Sequence, residues 1–434
     1  MGGRARTLAY DVTHALPDGS QTRLDNGQHI LIGAYRETLD LMRLVGLDPT
    51  HLLHRMPLTL QLPDGSGLVL PDRPAPWSLL SGILNARGWS LGQKWSLLSV
   101  LRKWQKSGFQ CNAGATVAEL CVDIHPQVMD TFISPLCVAA LNTPVQQASG
   151  QVFLTVLFDA LKAVPGTVWP DADDWPTSIM RKLSGTDLLL PKVDLSALFP
   201  EAAAAWLQAH GATLRLGERA HAPRWNAGTW RLGEGAGEEA FDAVVWATSA
   251  PNAVQALEAY LGDAPKNLAL HLQRWLRPAK ALKFEAIATV YAHAKGLELP
   301  APMLTLDSSP LAPAQFVFDR GQLGGPQGLM AFVASACVGS HDELELQVLV
   351  QAQAQLSHLL EGQPLTAVQT VVEKRATIAC TPGLVRPTQR IAPGFLACGD
   401  YLYKPYPSTI EGAVRSGLMA AFALDEQDGF SWKS

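Results

Sequence analysis

The stretch from Phe395 to Leu424, FLACGDYLYKPYPSTIEGAVRSGLMAAFAL, most constrains what this chain can become. Its pattern predicts a short buried strand over Phe395 to Cys398, a turn at Gly399 and Asp400, a Pro/Tyr-rich loop and then a helix. Ser408 and Glu411 have the S-x-x-E spacing of a capping box, in which hydroxyl and carboxylate satisfy each other's backbone donors. Beyond them Ile410, Ala413, Val414, Gly417, Leu418, Ala421 and Phe422 recur at helical spacing, giving one apolar face. Gly412, Ala413, Gly417, Ala420 and Ala421 keep that face thin, so a flat group could approach the backbone closely. A helix N-terminus carries roughly half a positive charge and points N–H groups outward, which favours an anion or a ring that becomes anionic on reduction. The plainer alternative is a capped helix packed on a sheet with no ligand.

The Gly399-Asp400 pair followed by PSTIEGAVRSG at 407–417 resembles the closing flavin motif of the large FAD-dependent family that contains amine oxidases, phytoene desaturases and protoporphyrinogen oxidases. The resemblance implies that Gly399 and Asp400 meet the phosphate and ribityl part of FAD. It also implies that the helix start at Ser408, Thr409, Ile410 and Glu411 points at the pyrimidine end of the ring. Two further islands carry the same likeness. GGRAR at 2–6 resembles the family's second flavin motif, in which Gly2 and Gly3 would let backbone approach the pyrophosphate and Arg4 would pair with it. On its own a GGR triplet is equally a surface loop. The family's strand, G-x-G-x-x-G turn, helix and ribose-binding acid, about thirty residues in all, are expected to lie before Met1 in a longer reading frame. LDNGQHILIGAY at 24–35 resembles the branch of hydroxysqualene dehydroxylases, also called squalene-associated FAD-dependent desaturases. There the equivalent segment passes the ring edge, so Gly27, Gln28 and His29 are carried over as cofactor neighbours. For His29, a hydrogen-bonded structural histidine is the competing reading, and Asp25 is equally read as a turn cap.

A weaker match completes the pattern. Ala212 to Leu216 reads as a strand, with Gly217-Glu218-Arg219-Ala220 turning into the next segment; in the family the residue at Ala220 meets the adenine. Phe241 to Ala247, closing with Thr248-Ser249-Ala250-Pro251, resembles the D-x-V-V-x-A-x-P signature that returns the chain to the nucleotide domain. The implied fold is α/β: a discontinuous, N-terminally truncated FAD-binding Rossmann-like domain of the glutathione-reductase type over 1–48, 190–265 and 371–434. An α+β substrate domain with a mixed sheet and a helical insertion would occupy 49–189 and 266–370.

Composition supports a globular chain: 434 residues, 47% hydrophobic and 17% charged. A net charge of -5 gives no general reason to expect nucleic acid. Cys111, Cys121, Cys137, Cys337, Cys380 and Cys398 are scattered with no C-x-x-C pair, which argues against a disulfide framework or a zinc site and for a reducing compartment. With no apolar run of about 18 residues and no leader pattern, the cytoplasm is the default. One segment departs from the acidic average. Between Asp72 and Glu119 there is no acid, while Arg73, Arg87, Lys94, Arg102, Lys103 and Lys106 are basic and Trp77, Trp89, Trp95 and Trp104 lie among them. Basic charge with tryptophan suits an anionic membrane surface, so peripheral contact through 77–106 is expected on the cytoplasmic face. The alternative is an ordinary amphipathic helix whose tryptophans belong to the core.

The resemblance implies FAD as cofactor and hydride transfer as chemistry, with the protein supplying orientation and exclusion of water. In the resembling branch a long-chain isoprenoid alcohol, hydroxysqualene, loses its hydroxyl and takes a hydride to give squalene for hopanoid synthesis. Loss of water from an alcohol needs a proton donor, for which His29, Asp25, Tyr401, Tyr403 and Tyr406 are candidates, the last two equally as pocket wall. The alternatives are a carotenoid-type desaturase, an amine or protoporphyrinogen oxidase of the same fold, and, in another class, a flavin-free lipid-binding module.

Overall fold

The computed structural model describes residues 2–8, 14–17, 19, 21–73, 77–170, 180–220, 223–226, 228–233 and 238–428. Packing divides the chain into two compact units, one of residues 1–212, 284–376 and 380–382, the other of 213–283, 377–379 and 383–434. These are units of contact; a division by role into cofactor and substrate segments is a separate matter.

In the first unit a five-stranded sheet runs in the order Met303–Thr305, Phe316–Asp319, Leu329–Ser335, Phe284–His293, Thr366–Ile378. The ladders among its first four strands are antiparallel. Side chains alternate across a pleated strand, and here both faces are apolar. Tyr291, Phe316, Phe318, Leu329, Ala331 and Val333 enter one core. Val290, Ala292, Leu304, Val317, Met330 and Phe332 enter a second core, with Val348 and Ala352 of the helix His341–Gln355. The first core is shared with the expected helical insertion, which forms the helices Trp77–Asn85, Leu91–Lys106, Ser134–Leu141 and Gly150–Leu161. Leu97, Val100, Trp104, Phe153 and Leu154 are its contribution.

The helix Leu91–Lys106 begins with a capping box. Gln93 N donates to Ser90 Oγ at 3.4 Å and Ser90 N donates to Gln93 Oε1 at 2.7 Å. A smaller antiparallel sheet places Leu188–Pro191 between Leu31–Ile32 and Leu53–Met56. Its Arg55 donates to Asp187 and Asp72, each at 2.7 Å. Two buried bonds of this kind fix the strand where a lone guanidinium would be costly.

In the second unit, Phe395–Ala397 pairs in parallel with Val244–Trp246 and antiparallel with Arg390–Ala392. A second sheet, Arg224–Asn226, Thr229–Leu232 and Glu239–Phe241, is antiparallel. Trp230 is fully buried, its ring 4.8 Å from that of Phe395 and its Nε1 donating to Pro393 O at 3.0 Å. The helices are Ala250–Leu261, Lys266–Ala281 and Ile410–Asp428. The strand expected over Ala212 to Leu216 does not form: these residues are irregular and Leu216 is exposed. Alternation alone makes no strand; a ladder needs a neighbour's backbone, and among the described residues none pairs there. Among the described residues no helix is long and apolar enough to cross a membrane.

Trp230 carries both ring packing and a buried donor, so Trp230→Ala is expected to destabilise the chain by about 3–5 kcal/mol, measured by chemical denaturation.

Candidate cofactor-binding site

The residues predicted to meet a flavin fall into two clusters, one in each unit. In the first, Gly2 and Gly3 have left-handed backbones, with φ of 96° and 59°. A Cβ on Gly2 would lie 2.4 Å from Ala5 O, so only glycine fits, while nothing stands within 4 Å of the Cβ position of Gly3. Asn26 stitches this loop to the 24–35 run: its Nδ2 donates to Arg4 O at 2.8 Å and its Oδ1 accepts from Arg6 N at 3.0 Å. The Arg4 guanidinium, expected on a pyrophosphate, donates to Ala376 O at 2.6 Å and to Arg375 O at 3.3 Å.

His29 hydrogen-bonds the Arg4 backbone, the bond anticipated for a structural histidine. Burial, with a smaller push from the Arg4 charge, holds its ring down at about 4, so it is neutral at ordinary pH. Gln28 Oε1 accepts from Arg320 Nη1 at 3.2 Å. Arg320 had no sequence signal; it lies 292 residues from its partner. Gly27 faces Thr289, whose Oγ1 would be 3.6 Å from a Cβ there. That hydroxyl is buried with no hydrogen-bond partner among the described residues. Asp25 is buried between Thr7 Oγ1, at 3.0 Å, and Leu195 N, at 2.9 Å. Burial pushes its carboxyl up to about 6, against the pull of those bonds and of Arg320.

In the second cluster the strand Phe395–Ala397 delivers the Gly399-Asp400 turn. Gly399 N donates to Ser416 Oγ at 2.9 Å, which pins the turn to the following helix. A Cβ on Gly399 would meet the Tyr401 ring at 2.7 Å. Asp400 is buried. The expected capping box is corrected here. The helix starts at Ile410, so Thr409 is its cap: Thr409 Oγ1 accepts from Gly412 N at 3.0 Å. Ser408 Oγ instead accepts from Ile378 N at 3.2 Å. The third helical residue is then Gly412, which has no side chain to return a bond, and Glu411 turns elsewhere. It accepts from Arg415 Nε at 2.8 Å. Arg415 Nη1 donates to Tyr403 Oη at 3.2 Å and its guanidinium lies over the Tyr406 ring. Arg415 was not singled out beforehand, although its i,i+4 spacing from Glu411 was the available signal. Ala220 is exposed in the irregular 212–220 segment, and among the described residues no hydrogen bond ties it to this cluster.

A model of the family of flavin containing amine oxidoreductases matches residues 1–424. The chain belongs to this family. This amine oxidoreductase family member therefore has FAD as its cofactor. A comparison with curated proteins gave no match. Solved structures show the same fold at low identity. An oxidoreductase from Methanosarcina mazei aligns with a TM-score of 0.65 at 13% identity, covering 98% of this chain and 92% of that one. A fatty acid isomerase from P. acnes aligns with a TM-score of 0.57 at 10% identity, covering 96% and 89%. Cyclohexylamine oxidase from Brevibacterium oxydans aligns with a TM-score of 0.56 at 14% identity, covering 98% and 91%.

The residues present fit a flavin dinucleotide. In the first unit, side-chain-free backbone at Gly2 and Gly3 and the unsatisfied Thr289 hydroxyl beside Gly27 suit a phosphate-linked, hydrogen-bonding group; in the second, so does the positive end of the helix Ile410–Asp428. Taken by itself, the first unit offers such a group Gly2, Gly3, Gly27, Gln28 and Thr289; the second, taken by itself, offers Gly399, Asp400, Thr409 and Ile410. Among the described residues no group of three His, Cys, Asp or Glu side chains forms a metal site.

Thr409→Ala is expected to cost about 1 kcal/mol of stability through loss of the cap, read by thermal denaturation. Asp25 gives a pH signature. Its carboxyl titrates near 6 when folded and near 3.8 when unfolded, so the folded state holds the proton more tightly and wild-type stability falls as pH rises across that window. Against Asp25→Asn, wild type should lose on the order of 1 kcal/mol per pH unit between pH 4 and 6, measured by denaturant titration at each pH.

Proposed function

We propose that this FAD-dependent oxidoreductase reduces hydroxysqualene to squalene in the hopanoid branch of isoprenoid synthesis. The observation that carries the reading is the run at 24–35, LDNGQHILIGAY, with its glycine beside the unsatisfied Thr289 hydroxyl and its histidine bonded back to the GGRAR loop. On this reading 1–48, 190–265 and 371–434 bind FAD, and 49–189 and 266–370 hold the apolar chain. The fold itself leaves the substrate open, since it serves an isomerase of fatty acids and an amine oxidase alike.

In the reaction the carbinol C–O bond breaks, the oxygen leaves with the electron pair, takes up a proton and departs as water. FAD, when bound in its reduced form, would supply the hydride for the new C–H bond. The chain's task is to bring the proton. His29 is neutral and occupied with the Arg4 backbone. Asp25 is engaged by Thr7 and Leu195. Tyr406 offers its ring face to Arg415. Tyr403 shares that guanidinium over its ring and is distinguished at its hydroxyl. Its Oη accepts from Arg415, leaving its own O–H to donate, and its carbonyl accepts from Arg386 Nη1 at 2.7 Å, which fixes the backbone. Arg415, donating to that oxygen, orients the hydroxyl. Tyr403 is the proton donor in this reading.

The test is anaerobic incubation of the reduced flavoprotein with hydroxysqualene, and separately of the oxidised flavoprotein with phytoene and with primary amines, followed by product analysis. Squalene from the first supports the proposal. Unchanged hydroxysqualene alongside dehydrogenated phytoene or hydrogen peroxide from an amine would overturn it in favour of a desaturase or an oxidase. A purified chain without visible flavin absorption would point to a lipid-binding module instead. Tyr403→Phe should slow dehydroxylation by about a hundredfold or more while leaving the flavin spectrum unchanged.

A further inference from the structure

Four tryptophans lie between 77 and 104, and the fold treats them in two ways. Trp89 and Trp104 are 7% and 5% exposed. Trp89 packs edge-on against Phe132 and donates to Thr131 Oγ1 at 3.1 Å, and Trp104 packs edge-on against Phe153. Trp77 and Trp95 are 67% and 69% exposed. The core has its own tryptophans and does not use these two.

Their neighbours extend the pattern. In the helix Trp77–Asn85, Trp77, Leu80 and Leu84 are exposed at i, i+3 and i+7, while Ser78, Gly82 and Ile83 face inward. Gly82 packs so closely that a Cβ there would be 2.5 Å from Leu70, which fixes which face looks out. In the helix Leu91–Lys106, Leu91 and Trp95 are exposed at i and i+4, while Gln93, Leu97, Val100 and Trp104 are buried. Lys94 Nζ donates to Leu84 O at 2.8 Å, setting the start of the second helix at the end of the first. The two apolar rows therefore adjoin. Five large apolar side chains on one outer face exceed what singly scattered surface residues account for, and such faces mark interaction sites.

The charge around this face decides the occupant. Arg73, Arg87 and Arg102 are exposed on the same segment, and no acid occurs between Asp72 and Glu119. Lys103 is already paired with Asp123 at 2.6 Å. A second copy docking here about a two-fold axis would set Arg87, Lys94 and Arg102 against their own counterparts with no acid in the segment to meet them. An anionic surface that also accepts tryptophan and leucine satisfies both features, and indole rings favour the headgroup level of a bilayer.

We propose that the outer face of the Trp77–Asn85 and Leu91–Lys106 helices docks peripherally on an anionic lipid bilayer, with Trp77 and Trp95 inserted among the headgroups and Arg73, Arg87 and Arg102 over the lipid charge. At 9 and 16 residues these helices lie on the surface and do not cross it. The inference stands apart from the proposed reaction, because vesicle binding is measured without substrate.

The experiment is co-sedimentation of the full chain with vesicles of phosphatidylcholine alone and of phosphatidylcholine mixed with phosphatidylglycerol. Wild type should pellet with the anionic vesicles, bind less as salt is raised, and show a blue shift of tryptophan emission on binding. The double variant W77S/W95S should lose the shift and most of the binding. R87Q/R102Q should bind anionic vesicles on the order of tenfold more weakly while its core stays intact by circular dichroism. Failure of wild type to pellet, or equal binding by both variants, would overturn the proposal. So would a wild-type dimer in solution that W77S/W95S converts to monomer, since that outcome assigns the face to a second copy.

Discussion

The carboxylate of Asp25 is buried, and its partners come from stretches far apart in the chain. Its side chain accepts from Thr7 and from the Leu195 backbone, while its own carbonyl accepts from Tyr291 Oη at 3.1 Å. Thr7 in turn bonds Ser196 and Asp194. Removing a carboxylate from water is costly unless its oxygens find donors, so these segments must arrive together or not at all. Through this one group the glycine loop at 2–6, the run at 24–35 and the central sheet strand Phe284–His293 are fixed in a common frame. The elevated carboxyl at Asp25 is the cost of that arrangement, only partly offset by its hydrogen bonds and by Arg320.

A similar economy operates in the second unit. Ser416 takes the Gly399 amide and its carbonyl takes Gln389 at 2.9 Å, so the turn after the strand and the helix after the loop are held to each other one helical turn and more beyond the helix start. The helix positive end is thereby kept in a set relation to Asp400. Glu411, buried in the first turn, is neutralised by Arg415, and Arg415 orders both Tyr403 and Tyr406. A carboxylate that the helix dipole already favours thus becomes the anchor of an aromatic cluster. Here structure and proposed chemistry meet, since the same guanidinium that pairs with Glu411 also positions the Tyr403 hydroxyl.

The proposed substrate and the proposed docking face are physically consistent with each other. A C30 isoprenoid alcohol partitions into lipid, and an enzyme that takes it up gains from residing at the bilayer surface. In the proposed docking, the exposed Trp77 and Trp95 would provide such residence without any membrane-spanning helix among the described residues. Each idea nevertheless rests on different residues, one on 24–35 and 399–415, the other on 73–102.

The sequence by itself determined the family, through its three motif islands, and much of the local structure: the strand at Phe395, the glycine turn after it, the helix through Phe422 and the helices between 77 and 161. These are legible because periodicity, glycine positions and motif spacing are local properties. Tertiary structure decided the rest. Ser408 and Thr409 are adjacent hydroxyls equally able to cap a helix, and the choice fell to Thr409 because Ser408 accepts the amide of Ile378, a partner 30 residues away. Ala212 to Leu216 has strand alternation and forms no strand, because a ladder needs a neighbouring backbone. Four tryptophans of similar surroundings in sequence divide into two core and two surface residues, because Trp89 and Trp104 find Phe132 and Phe153 to pack against while Trp77 and Trp95 lie on outward helix faces. Arg320 and Arg386 gain their roles from hydrogen bonds to distant partners and Thr289 from its place facing Gly27, and contacts across the fold leave no periodic trace in the chain.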